Sequence, residues 1–151
     1  MYEGIGGLIK AFRECIDREE GKIAFIGSVG VCTPFAELLA YSLREKRFEM
    51  VYIPNAEVEE ARKMKLIEGV GYQVVDEKVD PEGCDFIVVL GGLAVPKYPT
   101  TPEDVLNAIE KISRNARVIG FGFMGIFEKS RWKEKIDFNM MIDGKIEAVK
   151  R

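Results

Sequence analysis

Residues 22–43 constrain the fold more than any other part of the chain. An apolar run, Ile23-Ala24-Phe25-Ile26, is followed by a turn of small residues and then by an apolar helical pattern that extends to Leu43. In this pattern Thr33 is placed to cap the helix and Pro34 to occupy its first position. A helix that begins at the carboxyl end of a parallel strand presents unpaired N–H groups and a partial positive charge to an anion. The segment therefore predicts a strand–turn–helix unit with a ligand site at the turn.

Length and charge limit the protein classes that need to be considered. A chain of 151 residues, 47% of them hydrophobic and without a linker-like stretch, predicts one domain over residues 1–151. Its 22 basic and 25 acidic residues give a net charge of -3, so we expect neither nucleic acid nor an anionic membrane as a partner. No secretory signal or membrane-spanning run is visible, and the expected location is the cytoplasm.

The sequence lacks most of the residues that metal sites and imidazole catalysis require. The chain has no histidine, and its three cysteines, Cys15, Cys32 and Cys84, form no C-x-x-C pair. Zinc-finger patterns, histidine metal sites and histidine-dependent triads are therefore excluded. The acidic residues between positions 76 and 85 lack EF-hand spacing and predict a solvated turn. We expect no metal site.

Helical and strand-like patterns alternate along the chain. An amphipathic helix is predicted from Ile5 to about residue 20, and further helices over 33–43, 55–66 and 101–112. Five strands are predicted over residues 23–26, 50–53, 72–75, 86–90 and 117–121. A hairpin over 138–149, turned at Asp143-Gly144, would end the domain.

This alternation predicts an α/β fold with a mainly parallel sheet covered on both faces. The link over residues 76–85 is too short for a crossover helix, but it is long enough to cross the sheet as an extended segment. We therefore predict a three-layer Rossmann-like domain with five strands in the order 3-2-1-4-5 and a C-terminal hairpin. The topological switch point would lie between the first and fourth strands.

Ligands of such sheets bind outside the carboxyl ends of the strands at the switch point. The prediction therefore brings residues 27–33 opposite residues 91–98, with the turn at 122–125 beside them. The candidate ligand-binding residues are Gly27, Ser28, Gly30, Thr33, Gly91, Gly92, Lys97 and Gly122. The alternative for the glycines is that they only permit tight turns. Lys97 lies in a proline-rich loop that is either a lid or a stiff, solvated connection.

The standard dinucleotide fingerprint is absent. In G-x-G-x-x-G, Val29 and Cys32 would occupy the second and third glycine positions. The acid expected after the second strand is also missing, because Pro54 and Asn55 follow it, and no Walker A lysine follows the turn. Standard nicotinamide binding is therefore not expected, and the sequence identifies no cofactor.

Cys32 is the one candidate nucleophile. It precedes the expected N-terminus of a helix, where the helix dipole favours a thiolate. Without a histidine to act as base, the alternative is a small buried residue that packs beneath the turn.

Three segments carry a resemblance to a known family. They are residues 27–35 (GSVGVCTPF), 88–94 (VVLGGLA) and 120–125 (GFGFMG). With these, the chain resembles, over nearly its whole length, a small uncharacterised family of archaeal proteins associated with methanogens. The resemblance implies a cytoplasmic archaeal protein of Rossmann-like fold with no assigned activity, and it supplies no site residues.

Three functions remain open at this point. The first is a cytoplasmic protein that binds a small anionic or nucleotide-like ligand at the carboxyl ends of the first and fourth strands. The second is a non-catalytic homo-oligomeric interaction protein, such as a homodimer, which would use the apolar hairpin face of Phe138, Met140 and Ile142. The third is an enzyme that depends on the Cys32 thiol.

Overall fold

A computed structural model describes residues 2–151, which form seven β-strands and four α-helices. The elements in chain order are α1 (Gly4–Cys15), β1 (Glu20–Gly27), α2 (Thr33–Ser42), β2 (Arg47–Pro54), β3 (Arg62–Ile67), β4 (Gly71–Lys78), β5 (Phe86–Leu90), α3 (Pro102–Ile112), β6 (Arg117–Phe123), α4 (Ile126–Lys129) and β7 (Met140–Gly144). Short 3-10 helices lie at Val58–Glu60, Gly91–Ala94 and Trp132–Glu134.

All seven strands belong to one mixed sheet with the order β4-β3-β2-β1-β5-β6-β7. The neighbouring strands β2, β1, β5, β6 and β7 are parallel to one another. At one edge, β3 pairs antiparallel with β2, and β4 pairs antiparallel with β3. β1 therefore lies between β2 and β5, at the centre of the sheet. The carboxyl ends of the parallel strands meet along a single edge.

Side chains alternate between the two faces of the sheet along each central strand. Because apolar side chains point to both faces, helices cover both of them. Phe25 of β1 packs into one core with Phe12 of α1 and Leu39 of α2. Its neighbour Ile26 points to the opposite face and packs in a second core with Val105 of α3. All five residues of β5 are buried, as expected for a strand covered on both faces.

The predicted strand number and order are wrong, because residues 55–66 do not form a helix and because β7 joins the sheet as a further strand. A 3-10 helix at Val58–Glu60 leads instead into β3, which is inserted between β2 and β4. β3 and β4 form a hairpin whose turn includes Gly69 at φ +76°, and salt bridges join Lys63 and Lys65 to Glu77 across it. Cross-strand pairing of opposite charges stabilises an exposed hairpin, whereas the three-residue spacing of Val58, Ala61 and Met64 only imitates a helical stripe.

The predicted C-terminal hairpin over residues 138–149 is also wrong. β7 is a single strand parallel to β6, and the residues after Gly144 form no partner strand. The Asp143-Gly144 pair serves a different purpose. The Asp143 carboxylate accepts a hydrogen bond from the N–H of Gly125 at 2.8 Å, and the Gly144 carbonyl accepts one from Met124 at 2.8 Å. These bonds hold the turn between β6 and α4.

The helix over residues 102–112 is confirmed together with its cap. Thr101 and Asp104 exchange side-chain and backbone hydrogen bonds in a capping box, and Pro102 occupies the first turn. Within residues 2–151, no helix combines the length and the apolar character needed to cross a bilayer.

Candidate functional site

A cavity of about 210 Å³ lies where β1, β5 and β6 end. Beyond these strands the chain continues into the turn before α2, the 3-10 helix Gly91–Ala94 and the turn before α4, so three chain segments surround the cavity. The cavity is lined by Val31, Cys32, Phe35, Leu90, Gly91, Gly92, Val95, Phe121, Phe123 and Ile126.

The lining is apolar and partly aromatic. The rings of Phe35 and Phe123 lie 4.9 Å apart, and those of Phe121 and Phe123 lie 5.6 Å apart and perpendicular. No lysine, arginine, aspartate or glutamate is among the lining residues. At the mouth, Val31 is 49% exposed and the nearby turn residues Val29 and Met124 are 67% and 48% exposed. Apolar surface therefore extends from the cavity to solvent.

Hydrogen bonds hold the turn between β1 and α2 in one conformation. Ser28 is buried, and its Oγ lies 3.2 Å from the Sγ of Cys32. The carbonyl of Ser28 accepts hydrogen bonds from the Tyr52 hydroxyl at 2.7 Å and from the Cys32 N–H at 3.3 Å. Burial raises the pKa of Tyr52 far above its ordinary range, so this hydroxyl stays neutral and remains a donor. The turn thus forms a hydrogen-bonded side of the cavity.

Four of the predicted glycines allow neighbouring segments to approach closely. A Cβ at Gly92 would lie 2.5 Å from the Sγ of Cys32, and a Cβ at Gly27 would lie 2.5 Å from the Cβ of the same residue. At Gly91 and Gly122, a Cβ would lie 2.7 Å and 2.9 Å from the side chain of Ile126. The space above these glycines therefore holds side chains of the protein itself. This favours the tight-packing interpretation of these four positions.

Gly30 and Thr33 have a different role in the turn. Gly30 has φ +84° with open space around its α-carbon, and its N–H donates a hydrogen bond to the Thr33 hydroxyl at 3.2 Å. The expectation that Thr33 caps α2 is wrong: the helix begins at Thr33, and Cys32 is its N-cap without a side-chain bond. Since the Thr33 hydroxyl instead accepts from Gly30, it stabilises the turn.

The three predicted segments meet at one edge of the sheet, but only part of the predicted site lines the cavity. Cys32, Gly91 and Gly92 are lining residues, whereas Gly27, Ser28, Gly30, Thr33, Gly122 and Lys97 are not. Cys32 and Ser28 lie against Gly92, and Gly91 lies against Gly122. The exposed Lys97 instead places its ammonium group 5.3 Å from the ring centroid of Tyr98 and is not among the lining residues. Within residues 2–151, no group of three or more cysteine, aspartate or glutamate side chains is placed to hold a metal ion.

Several lining residues were not singled out from the sequence, notably Val31, Val95 and Ile126. Val31 carried a usable signal, because it and Val29 are apolar residues in a turn that otherwise consists of small residues. Val95 and Ile126 carried none, since each becomes part of the site only when its segment meets the others in the fold.

The fold and the site together define a class: an α/β protein with a mixed seven-stranded sheet and an apolar cavity at the carboxyl edge of its parallel strands. The chain belongs to DUF2124, a family of uncharacterised proteins conserved in archaea, whose pattern matches residues 3–147. The resemblance noted from the three sequence segments is thereby confirmed.

The relatives come from methanogens. An uncharacterised protein of Methanocaldococcus jannaschii is 39% identical over 146 residues, covering 96% of this chain and 88% of that one. Another, from Methanothermobacter thermautotrophicus, is 35% identical over 148 residues, covering 97% and 93%. A crystal structure of a protein of unknown function from Methanothermobacter thermautotrophicus superposes with a TM-score of 0.89 at 33% identity, covering 100% of this chain and 94% of that one.

Proposed function

We propose that the protein binds a small molecule in the cavity at the carboxyl ends of β1 and β5. The observation that carries the proposal is the cavity itself, which lies at the sheet edge where open α/β folds bind their ligands and is bounded by three separate chain segments. A concave, largely pre-formed, mostly apolar pocket is the usual form of a small-molecule site.

The size of the cavity favours a ligand smaller than a dinucleotide. Sites for drug-sized ligands typically enclose roughly 300–1,000 Å³, and this cavity holds about 210 Å³. The anionic or nucleotide-like ligand expected from the sequence would have to rely on backbone N–H groups of the turn at residues 28–33, because the lining offers it no cationic side chain. We therefore retain binding at this edge and favour a compact ligand.

A screen with two matched variants tests this proposal. Thermal unfolding is followed with a library of small neutral and charged compounds, nucleotides and phosphates, since a ligand that binds only the folded state raises the melting temperature. The variant is Val31→Trp, which places an indole at the mouth, and the control is Val29→Trp, in the same turn but outside the lining. Compounds that stabilise the wild type and the control but not Val31→Trp support the proposal. No stabilising compound, or shifts retained in Val31→Trp, would contradict it.

A second candidate function is homodimerisation through the free edge of β7. β7 is an edge strand, and the exposed apolar side chains of Tyr2, Ile5 and Ile146 lie around the groove between it and α1. The face suggested by the sequence is less suitable, because Ile142 is 8% exposed and the Phe138 ring packs 4.9 Å from that of Phe127. Light scattering after size exclusion tests this candidate: a mass of one chain at all concentrations would refute it.

Thiol chemistry at Cys32 has less geometric support. Cys32 is 2% exposed, and the hydroxyl of Ser28 lies within hydrogen-bond distance of its Sγ. A serine hydroxyl is not a base at neutral pH, so this contact does not activate the thiol. Reaction with iodoacetamide at pH 7 tests this: a Cys32 faster than a model thiol would revive the enzyme hypothesis.

A further inference from the structure

We infer that the part of the ligand that enters the cavity is an uncharged, compact aromatic group. This inference rests on the proposed function and adds the chemical class of the ligand. Benzyl alcohol is a suitable probe, because it combines one ring with one neutral polar group.

The cavity offers no charged side chain to a ligand. No side chain of Lys, Arg, Asp or Glu lines the cavity, so an ion that entered would lose its hydration without gaining a partner of opposite charge. Lys97, the one cation that the sequence placed near the site, lies against Tyr98 instead. A neutral molecule has no such penalty and gains by removing its own apolar surface from water. The lining therefore selects against both anions and cations.

The size and shape of the cavity suit a single aromatic ring. An enclosed apolar cavity of roughly 150 Å³ is large enough for benzene in a protein interior, and the cavity here holds about 210 Å³. This leaves room for a ring with a small substituent but not for a fused nucleotide base joined to a sugar. The tilted rings of Phe35 and Phe123 present edges and faces against which a further ring packs favourably.

The route of entry to the cavity is apolar. Cys32 is a buried lining residue whose Sγ packs against Gly92 and Ser28, and it contributes no charge to the cavity wall. Val31, half exposed at the mouth, provides apolar surface along the entry, and a polar substituent on the ligand remains near solvent there.

Three probes of similar size and different charge test the inference: benzyl alcohol, benzoate and benzylammonium. Each is titrated into protein with ¹³C-labelled methyl groups, and the resonances of Val31, Val95 and Ile126 report on the cavity. Benzyl alcohol is expected to shift these resonances and to bind at least about tenfold more tightly than either ion. The shifts of the methyl groups that remain in each variant should disappear in Val31→Trp and in the second filling variant, Val95→Trp, whereas all three reporters should still shift in Val29→Trp.

The outcomes separate this inference from the proposal beneath it. If benzoate or benzylammonium binds at the same methyl groups as tightly as benzyl alcohol, the neutral-ligand inference is overturned and small-molecule binding at this edge stands. If the resonances of the cavity do not respond to any of the three probes at millimolar concentration, the aromatic class is overturned. The compound screen then decides independently whether the cavity binds a small molecule at all.

Discussion

Gly92→Ala tests the close contact between the segment after β5 and the turn after β1, on which the shape of the cavity depends. The added Cβ would lie 2.5 Å from the Sγ of Cys32 and 3.2 Å from the Oγ of Ser28, and the first distance is too short for any real contact. Cys32 is 2% exposed, so its sulfur cannot turn into solvent to relieve the clash. Overpacking of this kind costs about 1–3 kcal/mol of stability.

A double-mutant cycle with Cys32→Ala measures that contact directly. Cys32→Ala alone should destabilise the protein by about 1 kcal/mol, because it removes a buried sulfur and the partner of the Ser28 hydroxyl. It also removes the atom that obstructs a side chain at position 92. In the Cys32→Ala background, Gly92→Ala should therefore cost about 0.5 kcal/mol or less, which gives a coupling free energy of about 1–2 kcal/mol.

Urea unfolding of the four proteins of the cycle supplies these numbers, and thermal unfolding should shift by about 2–4 °C per kcal/mol for a chain of this size. Gly30→Ala is the matched control. It lies in the same turn with open space around its α-carbon and φ +84°, so it should be destabilising through the backbone alone and additive with Cys32→Ala. An equal cost of Gly92→Ala in both backgrounds, within about 0.5 kcal/mol, would refute the contact.

Three further predictions concern stability. Ala56 has φ 64°, so Ala56→Gly should stabilise the protein by about 0.5–1 kcal/mol in urea, whereas the control Ala116→Gly should destabilise it. Tyr52→Phe removes the 2.7 Å hydrogen bond to the Ser28 carbonyl and should cost about 1 kcal/mol; no loss of stability would mean that the bond is unimportant. Burial raises the pKa of Cys84 from 9.0 to about 12. As the pH rises, the unfolded chain therefore loses the thiol proton at a lower pH than the folded chain does. The contribution of Cys84 to stability should therefore be constant below about pH 8.5 and fall between pH 9 and 12 by up to about 1.4 kcal/mol per pH unit, so that stability falls less steeply over this range in Cys84→Ala.

The parts of the fold that the sequence predicted well are those in which local pattern and tertiary environment agree. β5 is a continuous apolar run because both of its faces are covered, and such a run has few other interpretations. The start of α3 is specified by Thr101 and Asp104 within a single turn of chain.

The errors arose where a local pattern fits two structures. In β3 only Met64 is buried, so the strand has too little alternation to be distinguished from a charged helix. Asp143-Gly144 is typical of a hairpin turn, but its hydrogen-bonding groups are taken by Met124 and Gly125 from a distant segment. In both places contacts between distant residues decide the structure.

Ligand binding at the carboxyl edge of the sheet stays a prediction, but the packing of the predicted segments can be compared with the structure. The glycines of three turns do meet at one sheet edge, as the strand pattern indicated. However, Gly92 accommodates the sulfur of Cys32 and Gly91 accommodates Ile126, and these contacts depend on how the segments pack in three dimensions. The apolar lining follows from the same packing, and sequence spacing alone does not reveal it.

Binding of a small neutral molecule in the apolar cavity at the carboxyl edge, as proposed above, would be visible in a crystal. A crystal structure of the protein soaked with 4-bromobenzyl alcohol tests it most directly, because the anomalous signal of bromine locates the ring without ambiguity. We expect a bromine peak enclosed by Phe35, Phe123 and Val95, and loss of this peak in crystals of Val31→Trp. A fully soaked crystal with bromine only at other surfaces, and a cavity closed by its own side chains, would contradict the claim.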